Sequence, residues 1–202
     1  MPRPSNTEER RQQIVDGLLK VMAERGYERA SVGEIAKAAG LGPGLVHYHF
    51  SDKQEILLTL VEQLAARVRA RVATRLAKVK PDDARAKVDA FIDAFLATGA
   101  DAAPESVASW VTISAEAIRQ PEVRAAYEKV VRADLEQLES LVAALKGRRK
   151  ARALAAGLFA AVQGYFVLSA SAPDLVPPGS AAGTVKRMAA GLLDTAEARE
   201  DA

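Results

Sequence analysis

The sequence predicts an all-α protein of about nine helices: an N-terminal three-helix helix-turn-helix unit over residues 1–52, then a helical bundle over residues 53–202. Three observations carry this expectation. Apolar residues are 49% of the chain but aromatics only 5%, a balance that suits closely packed Ala- and Leu-rich helices better than a sheet. Apolar residues recur at helical spacing along most of the chain. Between those runs stand capping boxes, Pro-acid pairs and glycines, the chemistry of helix starts and stops.

Thr7-Glu8-Glu9 reads as an N-cap with acids in the first turn, and Ile14, Leu18, Val21 and Met22 continue the helix until Gly26-Tyr27. Ser31-Val32-Gly33-Glu34 is a capping box that opens a second helix, closed by Gly40. A short third helix is expected from Pro43 to Phe50. Ser51-Asp52-Lys53-Gln54 reads as another capping box, opening a long helix to about Lys80, before Pro81 breaks it. Further helices are expected from Asp83 to Thr98, Pro104 to Gln120 and Pro121 to Leu145. Lys146 to Lys150 reads as a basic loop, residues 151–172 as a strongly apolar helix, and the stretch to Ala198 as the last helix, after turn-rich Pro173 to Gly179.

There is no cysteine, which excludes a disulfide scaffold, a thiolate metal site and a cysteine nucleophile, and fits a reducing cytoplasm. No run of 18 apolar residues occurs, so no membrane span is expected, and the N-terminus does not read as a signal peptide. The net charge is +2, unevenly spread. Residues 1–80 hold 14 Lys/Arg and 9 Asp/Glu, a net of +5; residues 81–202 hold 14 and 17, a net of −3. That asymmetry points to a polyanion at the N-terminal end, although Arg67, Arg69, Arg71 and Arg75 also suit a solvated helix face.

Residues 31–50 carry the sharpest signal. A helix-turn-helix needs a small residue where its two helices cross, a left-handed turn, and apolar residues pointing back from the second helix. Ala36, Gly40, Leu41 and Val46 fill those places, with Ile35 and Ala39 completing the seam; an ordinary helical hairpin is the alternative. The second helix would then read DNA. Gly44 allows close backbone approach, Leu45 can press a thymine methyl, and His47 can bond a base edge or phosphate. Tyr48 and Lys53 suit phosphate oxygens, and the helix that begins at Lys53 offers free N–H groups. His47 and His49 are the only histidines; two residues apart on a helix they diverge, and neither a cysteine nor an acid stands at ligand spacing, so no metal is expected.

With these residues in view, the chain resembles the TetR family of repressors over residues 8–60. The matching stretches are Glu24 to Tyr27, Ser31 through Ala36, Ala39-Gly40-Leu41, and Tyr48-His49-Phe50-Ser51-Asp52-Lys53. The resemblance implies an all-α homodimer that binds a palindromic operator in double-stranded DNA and releases it when a small-molecule inducer enters the C-terminal domain. Carried over by position, it implies that Gly44, Leu45 and His47 face bases, that Ser31, Tyr48 and Lys53 face phosphates, and that Phe50 is core. Gly33 stands where the family often has a polar or Arg base contact, Gly42 replaces a Ser or Thr cap, and Leu45 replaces a small polar residue. The C-terminal half is similar in its run to the choline-responsive BetI subgroup, a likeness that names no ligand for this chain.

In that half, the helix over residues 151–172 is apolar almost all round and is therefore expected to be buried on several sides. Leu154, Leu158, Ala161 and Tyr165 form one face, and Ala153, Gly157, Ala160 and Gly164 an adjoining stripe of small residues. These residues, with Met188 and Leu192 of the last helix, are the expected dimer interface; the alternative is a central helix of a monomeric bundle. Phe91, Phe95, Trp110, Ile113, Tyr127, Phe159, Gln163 and Phe166 are candidates for an apolar ligand site with few polar groups, or else plain core. Gln163 lies between two Phe on one face, whereas Glu116 sits at a polar edge.

Enzyme chemistry finds no support: no Ser/His/Asp set stands in plausible order, no Gly-rich phosphate loop follows a strand, and no Glu-x-x-His pair is present. No cofactor is expected. The remaining rival to an inducible regulator is a DNA-binding protein governed by a protein partner or by its own concentration.

Overall fold

A computed structural model of the chain describes residues 6–96 and 104–195. Among them lie nine α-helices and no strand. They are α1 (Asn6–Arg25), α2 (Val32–Ala39), α3 (Pro43–His49), α4 (Lys53–Leu76), α5 (Ala84–Phe95), α6 (Pro104–Arg119), α7 (Pro121–Lys146), α8 (Arg148–Ser171) and α9 (Ser180–Thr195), with one 3-10 turn at Pro173–Leu175. The expected helix ends at Thr98 and Ala198 lie outside the described residues.

The chain packs as two compact units, and α4 and α7 each contribute to both. The first holds the described residues up to Ala65 together with Pro104–Glu128. Its centre is α1, which packs on α2, α3 and α6. Ile14, Val15, Leu18 and Met22 of α1 are buried with Ile35 and Ala36 of α2, Val46 of α3, Ile56, Leu57 and Leu60 of α4, and Ile113 of α6. Helices α1 and α2 approach so closely that a Cβ at Gly17 would stand 2.7 Å from the Ile35 carbonyl oxygen and 3.1 Å from the Ala39 Cβ. The Ser109 hydroxyl of α6 donates to the Leu19 carbonyl of α1 at 3.4 Å.

The second unit holds the described residues from Ala66 to Leu96 and from Lys129 onward. In it α9 packs on both α5 and α8. Val88, Phe91 and Ile92 of α5, Leu158 and Val162 of α8, and Val185 and Ala189 of α9 are buried. Polar ties accompany them: Arg85 donates to the Lys186 carbonyl at 3.1 Å, and the Lys186 ammonium lies 2.8 Å from Asp93.

The expected starts and stops hold where local chemistry sets them. Ser31 and Glu34 form the reciprocal capping box of α2, and Gly40 ends that helix in the left-handed conformation, φ 69°. Two details differ. The cap of α4 is Asp52, whose carboxylate accepts from the Glu55 N–H at 2.8 Å, while Glu55 reaches back to Ser51. The basic stretch Lys146 to Lys150 is not a loop: Gly147 alone, at φ 73°, separates α7 from α8, because a glycine in that region turns the chain at no steric cost and its neighbours stay helical.

Helix α8 also departs from expectation. By length and composition it could cross a membrane, yet only 22% of its most apolar 18-residue window is buried. Its buried residues, Ala151, Ala155, Leu158, Phe159, Val162 and Phe166, form one stripe at helical spacing. The opposite face, with Ala153, Gly157, Ala160 and Gly164, is exposed within the chain.

Candidate nucleic-acid interface

The seven residues of α3 divide cleanly by side. Val46 points inward, and so does the C-capping Phe50. Gly44 and His47 are exposed, Leu45 and His49 half-buried, and Tyr48 is 79% exposed. The Tyr48 ring meets the His49 ring edge-on at 5.0 Å and otherwise faces solvent. Helix α3 starts at Gly42 with no side-chain cap bond and Pro43 in the first turn, so its leading N–H groups have no capping side chain in front of them. Ser31 is exposed too; its oxygen accepts from the Glu34 N–H at 3.2 Å, which leaves the hydroxyl hydrogen to donate outward.

Lys53 has partners inside the unit. Its ammonium donates to the Tyr27 carbonyl at 3.0 Å and sits 4.2 Å above the Tyr27 ring. The Tyr27 hydroxyl is pushed up to about 12 by burial, and then by the negative charges of Glu116 and Asp52. Lys53, whose ammonium also lies 3.5 Å from the Glu28 carbonyl, therefore ties the start of α4 to the turn before α2.

Sequence reasoning passed over Arg11. This α1 side chain donates to the His49 carbonyl at the end of α3, lies 3.9 Å over the Phe50 ring, and pairs with Glu55 of α4 at 3.2 Å. Glu55 in turn accepts from the Ser51 N–H at 2.8 Å and the Ser51 hydroxyl at 2.9 Å. Those bonds, first among them the Ser51 N–H, hold its carboxyl below the usual range.

The eight candidate ligand residues fall into two groups, according to unit. In the first, Trp110 and Tyr127 meet at 5.1 Å between ring centroids, and Ile113 is fully buried core. In the second, Phe91 stacks on Phe95 at 4.7 Å, and Phe95 meets Phe159 edge-on at 5.6 Å. Phe166 is buried, and the amide nitrogen of Gln163 is buried with no hydrogen-bond partner. Glu116 is buried rather than at a polar edge, and accepts from Gln120 at 2.7 Å. Asp134, which the sequence reading passed over, lies on the buried stripe of α7 between Val130 and Leu138 and is only 6% exposed. Burial raises its carboxyl to about 6 against the pull of Arg69.

The residues expected at a subunit interface also divide. Met188 is 46% and Leu192 40% exposed, Gly157 and Gly164 are exposed, and Leu154, Ala161 and Tyr165 are half-buried. Leu158 is the correction: it is wholly buried in its own unit, because the core stripe of α8 runs through it. Val167 and Leu168, not singled out before, are 47% and 44% exposed.

A helix-turn-helix with a small exposed second helix, carried on an all-helical chain, defines a DNA-binding transcriptional regulator. Comparison with known proteins agrees. The chain matches the family of bacterial regulatory proteins, tetR family, over residues 14–60, and the BetI-type transcriptional repressor C-terminal family over residues 84–194. This protein belongs to the TetR family, with a C-terminal domain of the BetI type. It is 35% identical over 126 residues to the HTH-type transcriptional regulator BetI of Rhizobium meliloti (strain 1021), a match covering 61% of this chain and 60% of that one. A transcriptional regulator of Rhodococcus sp. Rha1 has a similar structure, with a TM-score of 0.81, 26% identity, and coverage of 92% of this chain and 96% of that one. A Saccharomonospora viridis regulator solved in complex with choline shares the fold at a TM-score of 0.75 and 20% identity, over 92% of this chain and 96% of that one.

Proposed function

We propose that this regulator is a ligand-released repressor, which binds a palindromic operator as a homodimer in the cytoplasm. In this reading residues 1–52 bind DNA, and residues 53–202 sense the ligand and dimerise. Exposed Gly44, His47 and Tyr48 on α3 carry the proposal. Gly44, Leu45 and His47 read base edges, while Ser31, Tyr48 and Lys53 bond phosphates. Two copies pair through the outward face of α8, with Gly157 and Gly164, and through Met188 and Leu192 of α9. Exposed apolar side chains on both helices support this pairing.

The ligand site is proposed in the second unit, at Phe91, Phe95, Phe159, Gln163 and Phe166, with Asp134 added. Aromatic walls, an unpartnered amide donor and a buried carboxyl suit a small, partly apolar molecule with polar or cationic groups. Choline, seen with the Saccharomonospora viridis regulator, is therefore the first compound to try. Trp110 and Tyr127 are proposed to respond to ligand entry.

The test begins with selection of a palindromic duplex from a random library by the wild-type protein. Half-sites should lie about one helical turn apart, roughly 34–36 Å. His47→Ala should change the selected sequence. Lys53→Ala should lower affinity for all sequences alike and reduce the salt slope by about one. Choline or another small organic cation, added at saturation, should weaken the complex roughly 5–150-fold. The reading fails if no sequence is enriched, or if Lys53→Ala leaves low-salt affinity unchanged.

A further inference from the structure

The recognition helix is short, so something other than its own hydrogen bonds must hold it. Seven residues are fewer than an isolated helix needs to persist in water. Its first turn lacks a side-chain cap, and at its other end the Phe50 N–H closes the last turn on the Val46 carbonyl, so the His49 carbonyl must find its donor outside the helix. At that C-terminal end stands Arg11, a residue of α1, two helices earlier in the chain. One planar guanidinium does three things there. It donates to the His49 carbonyl, it covers the Phe50 ring at 3.9 Å, and it pairs with Glu55 at 3.2 Å. Glu55 is itself fixed by Ser51, and its own N–H is fixed by Asp52. So α1, the end of α3 and the first turn of α4 meet on a single side chain. A cation is favourable at a helix C-terminus, and a planar fork of several donors can meet a carbonyl and a carboxylate in fixed directions while its face lies on an aromatic ring.

We propose that Arg11 is a positioning residue for sequence recognition: it sets the angle at which α3 presents His47 and Tyr48 to DNA, while touching no DNA itself. The inference rests on the reading of α3 as the recognition helix. Its chemistry separates it from Lys53, proposed above as a phosphate contact. A phosphate contact adds affinity to every sequence and steepens the salt dependence. A positioning residue adds affinity only where side chains must meet base edges in register.

The test compares Arg11→Lys, Arg11→Met and Glu55→Gln with the wild type. The probes are the palindromic duplex selected by the wild-type protein and a scrambled duplex of equal length, titrated over a range of salt. Arg11→Lys keeps the charge and loses the fork; it should lose about tenfold in affinity for the selected duplex, comparable to a mismatched base pair. Affinity for the scrambled duplex and both salt slopes should stay at wild-type values. Glu55→Gln should lower the ratio of selected to scrambled affinity in the same direction, and the double variant should be less than additive. Should Arg11→Met unfold, as circular dichroism would show, the other two variants still decide the question. An equal loss on both duplexes with a shallower salt slope would make Arg11 a phosphate contact and overturn the proposal. An unchanged selected-to-scrambled ratio in Arg11→Lys and Glu55→Gln would overturn it as well. Failure of the underlying reading looks different: His47→Ala would then leave the wild-type preference intact.

Discussion

At the scale of the residue, the positions with the largest physical consequences are those where tertiary packing overrules local preference. Gly17 sits inside α1, where alanine would ordinarily gain about 1 kcal/mol of helix propensity. Here a Cβ would meet the Ile35 carbonyl oxygen at 2.7 Å, and backbone cannot step aside as a flexible side chain can. Gly17→Ala should therefore destabilise the protein by about 1–3 kcal/mol, read as a lower urea midpoint. A midpoint at or above the wild type would show that α1 and α2 separate freely. Asp134 makes the opposite case. Burial raises its folded pKa to about 6 from the ordinary 3.8, so the folded chain binds the proton more tightly than the unfolded one. Stability from this group is full below pH 4 and is lost as the pH climbs through 6. The loss amounts to about 3 kcal/mol at neutral pH. Asp134→Asn should therefore be more stable than wild type at pH 7.5, with the difference shrinking towards pH 4. Urea melts at the two pH values would check it; equal midpoints at pH 7.5 would place the carboxyl in water. None of Gly17, Arg11 and Asp134 was legible in the sequence. A glycine in a helix, an arginine near its start and an aspartate among other acids reveal their partners only when distant segments meet. Ser31, Gly40 and Asp83 act on neighbours three or four residues away, and their role as caps or turns can be read from spacing alone.

At the scale of the element, periodicity located the helices well and their faces less well. The register of α3 was visible because Val46 and Phe50 stand four residues apart, on one face, with His47, Tyr48 and His49 between them. The register of α8 was not, because apolar residues surround it and leave no contrast to orient it; Leu158 was expected outside and is inside. With the core stripe located, the remaining surface of α8 is a ridge of Ala and Gly flanked by Val167 and Leu168. A Cβ at Gly164 meets nothing within 4 Å, so Gly164→Leu strains nothing in the single chain. Such a variant should fold with unimpaired thermal stability of the isolated chain, yet lose self-association by sedimentation equilibrium. Operator affinity should fall with it, since one half-site alone offers a small interface. A wild-type protein that stays monomeric at micromolar concentration, or a Gly164→Leu dimer of wild-type strength, would remove α8 from the interface.

At the scale of the whole molecule, α4 and α7 matter most, since each contributes residues to both packing units. Helix α4 begins at the Asp52 cap and Lys53, beside the proposed phosphate contacts, and stays unbroken to Leu76. A ligand acts on DNA affinity only through its own difference in affinity between two states, and the coupling is reciprocal. In the ligand-released repressor proposed above, operator DNA would therefore weaken inducer binding by the same factor as inducer weakens the operator. The outward face of α8 adds a consequence of a different kind, one that belongs to genetics. If that face mates with its own copy, every chain in the cell draws partners from a common pool. A chain with a ruined α3 and an intact α8 would still be chosen, and would carry a sound partner off the operator with it. Lesions in the reading helix would then be dominant, because they spread through pairing. Lesions on the Gly157 and Gly164 ridge would be recessive, because such a chain pairs with nothing and leaves the sound copies to repress undisturbed.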